Sequence, residues 1–205
     1  MKLKVYPSGR PQAALVLAHG AGAGQSSPFM VRVATGLAER GISTATFDFL
    51  YMSTGRKVPD RAPVLEAAWR DAIESARSKF EGLALYIGGK SMGGRIASHV
   101  ASQGGAGPLA GLIFLGYPLH APGRPDQRRD AHLPAIVEPM LFVQGSRDAF
   151  GSGDEIRQLL PSLQHATLEE IQGGDHSFKV PGGVSRQAPV LTAIMDVVAA
   201  WALKG

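Results

Sequence analysis

The chain has 205 residues, a formal net charge of +4, 44% hydrophobic and 19% charged residues, and no cysteine. That composition describes an ordinary folded protein with room for one substantial core, read here as a single domain over residues 1–205, and excludes a disordered chain. The missing cysteines exclude disulfides, thiolate zinc sites and cysteine nucleophiles, and the modest charge offers neither the basic stripe nor the module of a nucleic-acid binder.

Near the N-terminus a weak strand candidate, Leu3–Tyr6, precedes a six-residue apolar run from Ala13 to Ala18. That run is too short for a signal-peptide core and far too short to span a bilayer, so a cytoplasmic chain with no membrane association is expected. Strands are read at Ala14–Ala18 within that run and at Thr44–Phe49, Leu83–Ile87, Leu112–Leu115, Met140–Val143 and Thr167–Ile171. Several are apolar throughout, as strands covered on both faces are. Longer amphipathic segments alternate with them. Ser27-Pro28 opens a helix closed by Gly41, with a serine cap and proline at the first position. Residues 62–80 place Leu65, Ala68, Trp69, Ala72, Ile73 and Ala76 on one helical face. Helices are also read at 92–103, 153–160 and from Pro189 to Leu203. The alternation predicts an α/β architecture with a mostly parallel central sheet and helices on both faces. The proline-rich stretch from Leu119 to Pro139 connects two strands and is too short for a large lid. Its arginines, Arg124, Arg128 and Arg129, are broken by Asp126 and Asp130 and read as a solvated loop.

The segment "YIGGKSMGGR", Tyr86 to Arg95, admits two chemistries. Its Gly-Lys-Ser resembles the end of a phosphate-binding loop, but that motif needs a glycine where Ala84 stands, and Leu85 to Gly88 continue an apolar strand. The same residues spell G-x-S-x-G between a strand and a helix, with Ser91 at the apex. Such a turn holds a serine nucleophile in a strained conformation, and its neighbours must be small. A serine needs a base and a group to orient that base. Behind a turn of this kind the acid and then the histidine follow in chain order. Of the six histidines, His176 lies between the last strand and the last helix, where a loop can reach over the sheet edge. His165 precedes its strand and belongs at the opposite edge. Asp148 directly follows the strand Met140–Val143, whereas Asp175 adjoins His176 and is poorly placed to orient its ring. The expected site is therefore Ser91, Asp148 and His176, with oxyanion donors from the amides of Met92 and Ala21. Gly22, Lys90, Tyr117 and His120 are further candidates for substrate contact, and Lys90 and Arg95 offer charge to an acidic substrate. No cofactor or metal is called for, and the partner is a small-molecule acyl substrate.

Together "LAHGAGAG", "GGKSMGGR", "GYPLH", "QGSRDAFG" and "GGDHSFK" resemble α/β-hydrolase-fold proteins over nearly the whole chain. Within that fold they resemble a small branch near the dienelactone-hydrolase-like proteins, related to a chromatin-complex subunit and a testis-expressed protein. The resemblance implies a Ser91–Asp148–His176 triad, a minimal lid or none, and no particular substrate. Dienelactone hydrolases proper use a cysteine, which this chain lacks. A serine hydrolase acting on small esters or thioesters is the expectation; a non-catalytic scaffold of the same fold, binding a ligand or protein, is the alternative.

Overall fold

The computed structural model describes residues 2–204, with backbone alone for 184–186. Seven strands form one sheet in the order β1-β3-β2-β4-β5-β6-β7. They are β1 (Lys4–Tyr6), β2 (Ala13–Ala18), β3 (Ile42–Phe47), β4 (Ala84–Lys90), β5 (Gly111–Leu115), β6 (Met140–Gly145) and β7 (Ala166–Ile171). Only β1 runs antiparallel, against β3; the other pairs are parallel. The helices are α1 (Pro28–Ala38), α2 (Leu50–Ser53), α3 (Ala62–Lys79), α4 (Met92–Ser102), α5 (Gly153–Leu159) and α6 (Val184–Ala202).

The period-two alternation of a strand divides the core into two layers. Ala14, Val16, Ala18 and Phe114 point to one face and pack with Trp69 and Ala72 of α3, Ile96 and Val100 of α4, and Ile156 of α5. Ala13, Leu15, Leu17 and Ile113 point to the other and pack with Val33 and Leu37 of α1 and Ile194 and Val198 of α6. Helices thus cover both faces, as the apolar strands require. Polar atoms in β3 are partnered: Thr46 Oγ1 donates to Gln25 Oε1 at 3.0 Å, and Ser43 Oγ accepts from the Ser8 amide at 3.0 Å.

The elements differ from the sequence reading mainly at their ends. β4 runs on through Gly88 and Gly89 to Lys90, so the sheet delivers the chain to the residue before Ser91. β3 stops at Phe47, leaving Asp48 and Phe49 to the loop that follows. α6 begins at Val184 and includes Pro189, which forfeits only the bond to the carbonyl four residues back. The four-residue α2 was not anticipated, because one helical turn carries no readable periodicity. Ser27 does cap α1 in extended conformation, but through its backbone, with no side-chain bond. The connection between β5 and β6 holds one 3₁₀ turn, Leu133–Ala135, and no lid. Among the described residues, no helix is long and apolar enough to cross a membrane.

The close pairing of β4 and β5 yields a stability prediction. A Cβ on Gly88 would overlap the backbone carbonyl of Ile113 on β5, where neither side can swing away. Gly88→Ala should therefore destabilise the protein by about 1–3 kcal/mol, as overpacking does. Urea unfolding checks this, and an unchanged midpoint would refute it.

Candidate active site

Ser91 is the single residue between β4 and α4, at φ 51° and ψ −117°. For a non-glycine residue this is a strained conformation, costing of order 1–3 kcal/mol. The surroundings hold it there. The Ser91 amide donates to Leu115 O at 3.1 Å, and its carbonyl accepts from the Arg95 amide at 3.1 Å. A Cβ on Gly89 would lie 2.5 Å from Ala18 O, and one on Gly93 would lie 2.6 Å from the carbonyls of Ala18 and His19. The flanking glycines of the motif are thus a packing requirement against β2. Trp69 of α3 donates from Nε1 to Gly93 O at 3.1 Å and fixes the start of α4.

The acid and the base come from loops at the same edge of the parallel sheet. Asp148 follows β6 and His176 follows β7. His176 Nε2 lies 2.8 Å from Ser91 Oγ, and Nδ1 lies 2.7 Å from Asp148 Oδ2. Asp148 is buried and its carboxylate accepts, so the proton on Nδ1 points at Oδ2 and Nε2 is turned to the serine hydroxyl. Asp148 is itself oriented by the Phe150 amide, which donates to Oδ1 at 2.8 Å, and by Gln144 Nε2, which donates to Oδ2 at 3.0 Å. The Phe150 ring stacks on His176 with centroids 4.2 Å apart. Asp175 does not reach the imidazole. Its Oδ1 accepts from the amides of Ser177 and Lys179 and closes the turn that carries His176.

The loop after β2 brings Ala21 to the serine. A Cβ on Gly20 would lie 3.6 Å from Ser91 Cβ, and Ala21 lines both cavities that meet at Ser91. The amides of Ala21 and Met92 donate to no other group among the described residues, and so remain available to an incoming oxygen. His19 braces this loop: Nδ1 donates to Gly20 O at 2.7 Å and Nε2 accepts from the Phe49 amide at 3.3 Å. Burial pulls its pKa down, so the ring is neutral and its 3.6 Å approach to Asp48 is not an ion pair. Asp48 instead takes the backbone and side-chain N–H groups of Gln25 at 2.8 and 3.0 Å, and Tyr51 donates to Ala21 O at 3.0 Å. Burial, with Asp48 and Asp60 nearby, pushes the Tyr51 phenol up to about 12, so it stays a donor.

Other sequence candidates fall elsewhere. Tyr117 is fully buried and makes no wall of either cavity: its hydroxyl donates to Arg129 O at 3.0 Å, and burial pushes its pKa up. His120 is also buried, held between Ala121 O and Glu155 Oε1 at 2.9 Å each. Both point inward because the chain turns back at Gly116, φ +72°, instead of running along the sheet edge. Gly22 stands at the mouth of the larger cavity, with open space beyond its Cα. Lys90 lines that cavity with its stem, but its Nζ is buried, lacks an acceptor among the described residues, and lies 5.4 Å from the Phe178 ring centre. Burial lowers its pKa to about 8. Arg124 and Arg128 do lie in an exposed loop, but Arg129 at its end is half-buried and lines the second cavity with Arg95, Met92 and Ser91. His165 stands at the opposite edge as expected, its carbonyl accepting from the Met140 amide where β6 begins.

The two cavities meeting at Ser91 measure about 500 Å³ and about 270 Å³. A larger one of about 900 Å³, beside β1 and α3, contains none of Ser91, Asp148 and His176. Among the described residues, no group of three or more His, Cys, Asp or Glu could hold a metal ion.

Comparison with known proteins agrees with this architecture. A family model described as an alpha/beta hydrolase domain matches residues 11–202. An alpha-beta serine hydrolase homologue from Coxiella burnetii is 16% identical, covers 96% of this chain and 89% of its own, and superposes with a TM-score of 0.75. A dienelactone hydrolase from Anabaena variabilis is 24% identical over 98% of this chain and 91% of its own, with a TM-score of 0.74. A lidless α/β serine hydrolase from Xanthomonas campestris is 19% identical over 99% and 90%, with a TM-score of 0.74. At these identities the likeness is one of fold.

The strain at Ser91 can be measured without any substrate. Alanine and glycine both remove the hydroxyl, and at ordinary positions alanine is the more stable by about 0.5–1 kcal/mol. At φ 51° and ψ −117° the order should invert, with Ser91→Gly more stable than Ser91→Ala by about 1 kcal/mol. Thermal unfolding of the two variants decides it; alanine equal or better would mean the turn is relaxed.

Proposed function

The chain belongs to the alpha/beta hydrolase domain family over residues 11–202, and from that premise we propose that it is a serine hydrolase, a single domain that cleaves small esters or thioesters through an acyl-enzyme and needs no cofactor. The observation that carries this reading is the continuous hydrogen-bonded line from Ser91 Oγ through His176 to Asp148, at 2.8 and 2.7 Å, at a strained turn that opens into a cavity.

In this mechanism Ser91 Oγ attacks the carbonyl carbon while its proton passes to His176 Nε2. The C=O electron pair moves onto oxygen, and the amides of Met92 and Ala21 receive the resulting oxyanion. As that pair returns, the bond to the leaving oxygen or sulfur breaks, and His176 delivers the proton to the departing group. Water then enters, gives a proton to His176 and attacks the acyl carbon, and as the bond to Ser91 Oγ breaks His176 returns that proton to the serine, releasing the acid. Asp148 keeps the ring in the useful tautomer and balances its transient positive charge. The absence of a lid leaves the cavities open and favours short acyl esters or thioesters over long lipids. A scaffold that only binds has no need of a non-glycine residue at φ 51°, nor of a buried carboxylate committed to the ring.

Turnover of short-chain p-nitrophenyl esters tests the reading. Ser91→Ala should lower kcat by about six orders of magnitude, and Asp148→Asn, which strands the wrong tautomer, by about four. A fluorophosphonate probe should label Ser91 only when His176 is present. Esterase activity persisting in purified Ser91→Ala protein would refute the assignment.

A further inference from the structure

The smaller cavity beside Ser91 is lined by two arginines, Arg95 and Arg129. Neither side chain takes part in an ion pair or a hydrogen bond among the described residues, and Arg95 Nε is buried without a partner. The nearby carboxylates are committed elsewhere. Asp60 lines the same cavity but pairs with Arg56 at 2.7 Å and accepts from the Tyr51 amide at 3.1 Å. Glu66 is held by His99 at 3.3 Å, Gln103 at 3.1 Å and Arg70 at 3.8 Å, and Asp130 by Arg128. Two like charges therefore line one small space, and neither has an ion-pair partner among the described residues. Burial is the main cause that lowers the Arg95 pKa; Tyr117 and Glu66 act against it, and the Arg129 charge adds to it.

Both residues are also anchored through their backbones. Arg95 sits one turn into α4, four residues after the serine, which puts the two side chains on the same face of the helix start. The backbone of Arg129 is pinned at both ends: its amide donates to Leu119 O at 2.8 Å, and its carbonyl accepts from the Tyr117 hydroxyl at 3.0 Å. The buried Tyr117 thus carries an arginine to the cavity wall. The two cavities can be given different halves of a substrate. A leaving group must lie near His176 to take its proton, and His176 lines only the larger cavity. The smaller one, with Met92 and the arginines, then receives the acyl chain.

We infer that the smaller cavity is an anion subsite in which Arg95 and Arg129 hold a carboxylate at the far end of the acyl group, making the substrate a half-ester of a short dicarboxylic acid. This rests on the hydrolase reading above and specifies its substrate class. A guanidinium fork matches a carboxylate in two parallel hydrogen bonds, and a cavity of about 270 Å³ suits a short acyl chain. In the reaction, the Ser91 Oγ–acyl bond forms as the alcohol departs with the serine proton, and water later yields the dicarboxylate. The arginines hold the substrate and make no covalent bond.

The test compares monoethyl glutarate with ethyl pentanoate, followed by pH-stat or proton NMR. The wild type should favour the anionic ester by about tenfold or more in kcat/KM, since hydrogen bonds to a charged group are worth that much. Arg95→Met and Arg129→Met should each bring the ratio close to one, and Arg129→Lys should restore part of it. An independent reading comes from thermal unfolding with free glutarate or inorganic phosphate, using wild type, Ser91→Ala and both methionine variants. Glutarate should raise the Tm of the first two proteins and not of the arginine variants. A wild-type ratio near one, a ratio that survives both substitutions, or stabilisation by phosphate alone would overturn the carboxylate subsite. If esters are cleaved without preference and glutarate has no effect, the subsite fails while the hydrolase reading stands. If no ester is cleaved but glutarate still stabilises through both arginines, the subsite stands and the hydrolase reading fails.

Discussion

The backbone at Ser91 cannot turn from strand to helix in a single residue unless the space around it is emptied, and much of the local structure follows from that constraint. Gly88, Gly89 and Gly93 surrender their side chains to the carbonyls of Ile113, Ala18 and His19. Small residues alone would leave a loose turn. The turn is held because β4 lies inside the sheet, flanked by β2 and β5, and because Trp69 and Leu115 each contribute a hydrogen bond to its two sides. A strained residue persists only where its neighbours over-determine it. Here those neighbours come from both adjacent strands and from α3.

Parallel strands carry their C-terminal ends to one edge, and this brings together residues that are far apart in the chain. The loop after β2 supplies Ala21, the turn after β4 supplies Ser91, and the loops after β6 and β7 supply Asp148 and His176. Each loop is then secured to another. Gln144 shows the economy of this. Fully buried at the end of β6, it accepts from the Tyr117 amide at 2.7 Å, donates to Tyr117 O at 3.2 Å, and donates to Asp148. One amide side chain thereby fixes the acid and the loop after β5 together. The loop of His176 closes on the same strand end, since a side chain on Gly145 would overlap Gly174 O.

Much of the fold was legible because apolar runs and amphipathic runs alternate plainly, and each run reappears as an element with shifted ends. The line from Ser91 to His176 to Asp148 was legible through chain order, since each residue follows directly on a readable strand. What escaped was whatever depends on the direction a loop takes. Tyr117 and His120 stand near the elbow along the chain but turn inward after Gly116. Arg129 stands in a charged, proline-rich stretch and turns toward the serine. Asp48 and Tyr51, which staple the loop of Ala21, lie about thirty residues from it, and only the pairing of β2 with β3 brings them close. Gln144 reads as an ordinary polar residue ending a strand, because nothing local marks a buried amide with several partners.

The distribution of unmet polar demand separates the site from the rest of the molecule. Elsewhere buried polar side chains find partners: Tyr86 donates to Ala202 O at 2.8 Å, and Ser43, Thr44 and Thr46 each have one, Tyr6 Oη being the exception among the described residues. Among the described residues only Tyr6 Oη, Lys90 Nζ and Arg95 Nε are buried without one, and the last two belong to residues one and four positions from Ser91. An unpartnered buried polar atom costs about 1–3 kcal/mol, and more when charged, so a sequence selected for stability alone would have filled these positions otherwise. Local strain and unmet charge coincide at one hydroxyl. The stability given up at that point leaves the hydroxyl beside two amides that, among the described residues, donate to no other group.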